Sequence, residues 1–308
     1  MKHRFPPLWV WACTMGFVML TVFVIGSSGI IDIRHGFGTN YGSFRSRLAH
    51  LKSTAEINEG DKVVVVIGSS FTAMAVDHRP FFYDKYQQSH GGNLHVFKLY
   101  MYGCNAEVFQ RLPEFFEMAA SLQPDIVCVE EHLLAINENP DTDGMSIPSW
   151  ISDFNLGVNA IRSYFLPESD STEWHDVPTF EFFWKYHDTT YHADSLEVGQ
   201  KPNYQVRNYA SNRRLNKWLK TYVPDNTHIV CISIPRAPHA EEKLAKLRGQ
   251  EDYLSLRDKY EEQHEVDFWI FPDTLPYIMY SGDDHLNMTG MRRYSNWLSE
   301  QIEKQLHP

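Results

Sequence analysis

Hydrophobic and polar positions are organised on three scales along this chain. The first is a continuous block. Residues 5–31 carry no charged side chain, and residues 8–25 are apolar apart from Thr14, Gly16 and Thr21. As a helix, those 18 residues rise about 27 Å, close to the ~30 Å hydrocarbon thickness of a bilayer, which predicts one transmembrane helix. Lys2 and Arg4 ahead of the block predict a short cytoplasmic tail, with the rest of the chain across the membrane. A cleaved signal peptide is the competing reading, with Gly26-Ser27-Ser28-Gly29 as its small-residue site, but its apolar region usually spans only about 7–15 residues. An uncleaved anchor is therefore expected over residues 1–33, followed by a polar tether over 34–60.

The second scale is the short β-branched or apolar run. Val63-Val64-Val65-Val66-Ile67 has the continuous hydrophobicity of a strand buried on both faces. Similar runs recur at 94–99, 126–129, 228–234 and 266–271. The third scale is helical spacing, at 79–88, 106–122, 209–222, 240–264 and 288–306, with Pro113 predicting a kink or late start in the second of these. Strands alternating with helices predict a doubly wound α/β domain over 61–308, with a parallel sheet covered on both sides. The alternation breaks between about 137 and 205. That stretch is rich in Trp, Tyr and Phe and is expected to be an insertion, either a helical subdomain with its own aromatic core or a lid or partner surface.

Charge sharpens this picture. The 308-residue chain has 28 Lys and Arg against 39 Asp and Glu, a formal net charge of −11. Beyond residue 52 there remain 22 basic and 38 acidic residues, or −16. Nucleic acid is a poor partner for such a domain. Of the four cysteines, Cys128 and Cys231 fall in apolar runs and read as small buried hydrophobes, Cys13 lies in the apolar block, and Cys104 follows Gly103.

Ligands of open α/β sheets bind at the carboxyl ends of the strands, so the polar residues there are the candidates for chemistry. After the first run come Gly68-Ser69-Ser70, a small-residue turn that can present a hydroxyl or simply cap a helix. No phosphate-loop glycine pattern follows. After the second run come Tyr102-Gly103-Cys104-Asn105, and after the third Glu130-Glu131-His132. The loop Ser281-Gly282-Asp283-Asp284-His285-Leu286-Asn287 directly precedes the last helix, and a histidine beside carboxylates can act as an oriented general base.

A serine after the first strand, a glycine after the second and an acid–histidine pair before the last helix resemble the SGNH hydrolase superfamily, also called GDSL esterases and lipases. The resemblance covers roughly residues 61–306, outside the aromatic insertion, and it implies a flavodoxin-like three-layer sandwich. Carried over residue by residue, it implies Ser70 as nucleophile, Gly103 as an oxyanion-hole donor and His285 as the base. The chain departs from the family pattern in two places. The family's third-block asparagine is replaced by Glu130-Glu131-His132, where a carboxylate would repel an oxyanion, so Asn105 or backbone donors are expected to complete the hole. Three residues before the histidine, where the family keeps its acid, stands Gly282, so Asp283 is the favoured carboxylate, with Asp284 the alternative.

The resemblance, together with the expected anchor, implies a membrane-anchored bacterial envelope protein. It would be an esterase or O-acyltransferase acting through Ser-His-Asp on acyl, in particular O-acetyl, esters of a cell-envelope polysaccharide, beside a multi-span membrane acyltransferase. Its place would be the inner (cytoplasmic) membrane, single-pass, with the catalytic domain on the periplasmic or extracellular side. No cofactor and no metal are expected. Two other readings compete: a non-catalytic carbohydrate-binding or assembly protein that keeps the fold, and a metal site built from Glu130, Glu131, His132, Asp283, Asp284 and His285.

Overall fold

A computed structural model describes residues 7–28, 57–76, 81–100, 106–109, 114–140, 202–223, 226–281 and 285–307. Branching at Cβ stiffens valine and isoleucine and suits them to a pleated surface. The valine run accordingly forms β1 (Lys62–Gly68). Then follow β2 (Leu94–Tyr100), β3 (Ile126–Glu130), β4 (Ile136–Pro140), β5 (Pro202–Val206), β6 (His228–Ile232) and β7 (Val266–Trp269). Five of these make one all-parallel sheet in the order β2-β1-β3-β6-β7. The helices, in chain order, are α1 (Leu8–Ser28), α2 (Ser70–Ala75), α3 (Phe81–His90), α4 (Ala106–Phe109), α5 (Glu114–Ala120), α6 (Glu131–Leu134), α7 (Arg213–Tyr222), α8 (Pro238–Arg248), α9 (Glu251–His264) and α10 (Met288–Leu306).

Side chains alternate across a strand, and here both sets are buried. Val64 and Val66 join Ile126, Cys128, Val230 and Ile232, with Tyr294, Leu298 and Ile302 of α10, in one core. Val63, Val65 and Ile67 are buried as well, so the central strand is covered on both faces. Burial pushes the thiols of Cys128 and Cys231 up, and both behave as apolar core groups. From β1 the chain steps out to β2, then returns past β1 to β3 and continues the other way. The order therefore reverses between β1 and β3, which is where an open parallel sheet leaves a crevice at its carboxyl edge.

The pattern over 240–264 gives two helices, α8 and α9, broken at Gly249-Gln250, and the described parts of the pattern over 106–122 are α4 and α5, with Pro113 itself outside the described residues. The expected insertion begins and ends in β4 and β5, which pair antiparallel from Ile136↔Val206 to Pro140↔Pro202. Its residues 141–201, and the tether up to residue 56, lie outside the described residues.

Two compact units divide the chain; the described part of the first is α1, and the sheet and remaining helices belong to the second. The expected transmembrane helix is corrected, since among the described residues no helix is long and apolar enough to cross a membrane. α1 runs over 21 residues, Leu8–Ser28. Thr14 and Thr21 lie within it, their hydroxyls donating to the carbonyls of Val10 and Phe17. The expectations built on that span are corrected with it: the single-pass inner-membrane placement, the export of the domain by an anchor, and attachment to a membrane through one helix. The second unit is thus a five-stranded parallel sheet with helices on it.

Candidate active site

The site begins where β1 ends. Ser69 is the N-cap of α2, its hydroxyl oxygen accepting the Phe71 N–H at 3.2 Å, which leaves Ser70 as the first residue of the helix. Ser70 is half-buried, and its N–H, like every first-turn N–H, has no acceptor within the helix. Beneath this turn lies Glu130, the last residue of β3 and 1% exposed. Its Oε2 accepts the Ser69 N–H at 2.8 Å and the Thr72 hydroxyl at 2.8 Å, and its Oε1 accepts the Ser69 hydroxyl at 2.9 Å. Gly68 makes this possible. A Cβ there would stand 1.8 Å from Thr72 Oγ1 and 2.6 Å from Glu130 Oε2. At the far end of α2, Lys98 Nζ donates to the Ala73 and Val76 carbonyls at 3.0 and 2.7 Å, and the Ser295 hydroxyl of α10 donates to the Ala75 carbonyl. A cation there matches the negative end of the helix dipole.

His285 arrives from the other side of the sequence. An isolated bridge between Tyr280 and Leu286 closes its loop, and the Ser281 N–H donates to the His285 carbonyl at 2.7 Å. Next to it Asn287 caps α10, accepting the N–H groups of Thr289 and Gly290, while its own amide donates to the Ile278 carbonyl at 2.6 Å. Gly290 is needed where it stands, because a Cβ would meet the Met279 carbonyl oxygen at 2.4 Å. The consequence is that His285 Nε2 lies 3.0 Å from Ser70 Oγ, across 215 residues of chain. With the ring proton on Nδ1, the serine hydroxyl donates to Nε2, the arrangement a general base requires. The imidazole is stacked on Phe71, with ring centroids 4.6 Å apart and planes 13° from parallel, and the Arg236 guanidinium carbon lies 3.1 Å from the Phe71 centroid.

The rest of the third-strand cluster has separate attachments. Glu131 accepts from Arg248 Nε and Nη2 at 3.0 and 2.7 Å and from the Tyr253 hydroxyl at 2.5 Å. The same guanidinium also bonds Glu241. Neither glutamate is therefore a free carboxylate facing an oxyanion, contrary to expectation: one holds the serine turn from below and the other is tied to α8 and α9. His132 lines a small pocket with Glu130, Glu131, Tyr204 and Arg236. Burial, reinforced by the positive charges of Arg236 and Arg207, pushes His132 down to about 3, so it is neutral near pH 7. Its nearest carboxylate, Glu138 of β4, is 3.8 Å away and is equally distant from Arg236. Among the described residues no three or more metal-ligating side chains are grouped to hold an ion.

Of the residues expected from sequence, the fold brings Ser70 and His285 together. Gly103, Asn105, Asp283 and Asp284 lie outside the described residues. Sequence reasoning missed Phe71 as the ring stacked on the histidine and Arg236 as the cation over Phe71, and misread Glu130. The available signal was positional: a glycine ending one strand and a glutamate ending the next strand in space.

No family model matches the sequence, and no curated protein does. Solved structures show a weak likeness. A lipase/acylhydrolase from Enterococcus faecalis matches over 79% of this chain and 96% of its own, at 11% identity and a TM-score of 0.39. A carbohydrate esterase family 2 enzyme from Corynascus thermopiles (Myceliophthora fergusii) matches over 82% and 68%, at 11% identity and a TM-score of 0.40. A family two carbohydrate esterase from Clostridium thermocellum, in complex with cellohexaose, matches over 80% of this chain and 64% of its own, at 11% identity and a TM-score of 0.36. The resemblance drawn from the motifs, to membrane-anchored envelope members of the SGNH superfamily, is corrected to this weaker one: a likeness to structures named as esterases and lipases, with no helix among the described residues long and apolar enough to be an anchor. At such TM-scores the neighbours carry no argument about activity, which has to be read from the site.

Proposed function

We propose that this protein hydrolyses or transfers an acyl ester, with Ser70 as nucleophile and His285 as general base. The observation that carries the reading is the 3.0 Å contact between Ser70 Oγ and His285 Nε2 at the carboxyl edge of the sheet, beside the point where the strand order reverses. Ser70 Oγ attacks the ester carbonyl carbon while its proton passes to Nε2. The tetrahedral intermediate then collapses, and the departing alkoxide takes that proton from the imidazolium. This leaves an acyl-serine. Water as the second nucleophile makes the protein an esterase; a sugar hydroxyl makes it an O-acyltransferase.

The negative charge on the tetrahedral oxygen needs donors, and the first-turn N–H of Ser70 is one. Gly103 and Asn105, from the loop after β2, are proposed as the others, and Asp283 as the carboxylate that holds Nδ1–H of His285. Stacking on Phe71 supports the ring's orientation without charge.

A fluorophosphonate probe tests this directly. The wild-type protein is expected to be labelled at Ser70, Ser70→Ala to lose all labelling, and His285→Ala to be labelled on the order of 10³-fold more slowly or worse. Labelling that persists in Ser70→Ala would sink the assignment.

A further inference from the structure

We propose that Glu130 is a positioning residue, whose buried carboxylate sets the height and direction of the Ser70 hydroxyl; the inference rests on the Ser70–His285 reading above. The residues it holds are those immediately around the nucleophile. Ser69, one residue before, gives it both its N–H and its hydroxyl; Thr72, two residues after, gives its hydroxyl. The contacts also form a chain, since the Phe71 N–H donates to Ser69 Oγ and the Ser69 hydroxyl donates onward to Glu130. Donors aligned on a carboxylate are shorter and stronger than neutral pairs, and linked bonds polarise one another.

The strand geometry points the same way. β1 and β3 are adjacent and parallel, with Ile67 opposite Val129. One residue further on, the glycine leaves open the slot through which the glutamate reaches under the turn: a Cβ at Gly68 would collide with both Thr72 and Glu130 Oε2. Burying a carboxylate costs free energy unless donors surround it. Capping alone would not require one, because Ser69 already caps α2. The neighbouring Glu131 shows what a purely structural glutamate looks like in this fold, bridged to Arg248 and Tyr253 and bonding none of the residues of the serine turn. A carboxylate, with two oxygens and no proton, accepts from all three donors at once; a glutamine keeps one accepting oxygen and so preserves part of the grip.

The experiment uses the full chain as wild type, Ser70→Ala, Glu130→Gln, Glu130→Ala and Thr72→Val, with fluorophosphonate labelling of Ser70 and steady-state turnover of p-nitrophenyl acetate. Glu130→Ala is expected to lower kcat and the labelling rate on the order of 100-fold with KM little changed, because misplacing a reacting atom by about 1 Å costs that much. Glu130→Gln is expected to restore both to within about tenfold of wild type, and Thr72→Val to slow both by about threefold to tenfold, the worth of one hydrogen bond. Glu130→Ala labelled at the wild-type rate, or Glu130→Gln as slow as Glu130→Ala, overturns the proposal. Should Glu130→Ala lack a cooperative thermal transition, Thr72→Val decides: slower labelling at unchanged KM supports the role and a wild-type rate overturns it. Wild-type protein that is not labelled at Ser70 defeats the underlying reading as well, whereas labelled wild type with indifferent variants defeats only this inference.

Discussion

The serine turn and the histidine loop meet at a single 3.0 Å contact, yet they are held in place by different means. The turn carrying Ser70 sits on a buried anion, with Glu130 below its first residues and Lys98 on the carbonyls at the end of α2. The described contacts of the His285 loop include the Tyr280–Leu286 bridge, the Ser281 N–H on the histidine's own carbonyl, and Asn287 capping the next helix. A carboxylate strut under the turn that carries Ser70 is short and directional. On the histidine side, Phe71 stacked on the imidazole adds support from an aromatic face.

The largest expected effect comes from filling the slot that admits the strut. Gly68→Ala puts a methyl within 2.4 Å of Thr72 Cβ, an atom that no side-chain rotation removes. It is expected to cost at least the upper part of the usual ~1–3 kcal/mol for overpacking and to slow fluorophosphonate labelling, read from thermal unfolding and probe kinetics together. A variant that is as stable and as quickly labelled as wild type would show that Glu130 does not need that slot.

On the histidine side, Asn287→Ala removes the cap of α10 and the amide bond to the Ile278 carbonyl. A loss of about 1–2 kcal/mol is expected, with labelling slowed less than by Glu130→Ala. Asn287→Asp keeps the cap acceptor and should recover most of the stability. Equal effects of Asn287→Ala and Glu130→Ala on labelling would erase the contrast between the two supports.

A smaller effect concerns pH. His132, next to Glu130, is held neutral down to about 3 against an ordinary value of 6.5. Between those values the unfolded chain binds a proton that the folded one does not, so stability is lost as pH falls from 6.5 toward 3. His132→Gln is expected to flatten that limb of the stability–pH curve, measured by urea midpoints. An unchanged slope would mean that His132 is not neutral in the folded protein.

The smallest effect lies at the opposite end of the sheet, where a carboxylate serves stability alone. Burial works to raise the Asp61 carboxyl, but hydrogen bonds from the Asn58 N–H, the His95 ring and the Asn93 N–H outweigh it and hold it at about 2, against an ordinary 3.8. The stabilisation is complete above 3.8 and disappears as pH falls through 2. Asp61→Asn should therefore lower the melting temperature at neutral pH, converge on wild type near pH 2, and leave labelling of Ser70 untouched. Slower labelling would mean that anions at both ends of the sheet act on the site.

How much of this was legible in the residues differs from feature to feature. Val63 to Ile67 announced a doubly buried strand, and Ser70 and His285 stood out because each follows or precedes a recognisable element. Glu130 was read as a repelling charge, because a strand-end glutamate looks the same whether its carboxylate points up toward the substrate or down under a neighbouring turn. Phe71 and Arg236 gave no signal, since stacking on a ring is a property of distance and not of spacing along the chain. The apolar block over residues 8–25 predicted a helix, and α1 is one, but an uncharged run by itself did not establish a bilayer as its surroundings.

By itself, the sequence determined the alternation of strand and helix, the buried centre of the sheet and the candidate groups Ser70 and His285, because periodicity and side-chain type are local properties. Only the tertiary structure decided which groups meet. Strand order placed β3 beside β1, although β2 lies between them in the chain, and so put Glu130 under Ser69 and Thr72. The last helix brought His285 back across the whole domain to Ser70. Hydrogen bonds act over about 3 Å, and nothing in the order of residues along a chain encodes a separation that short between positions 215 apart.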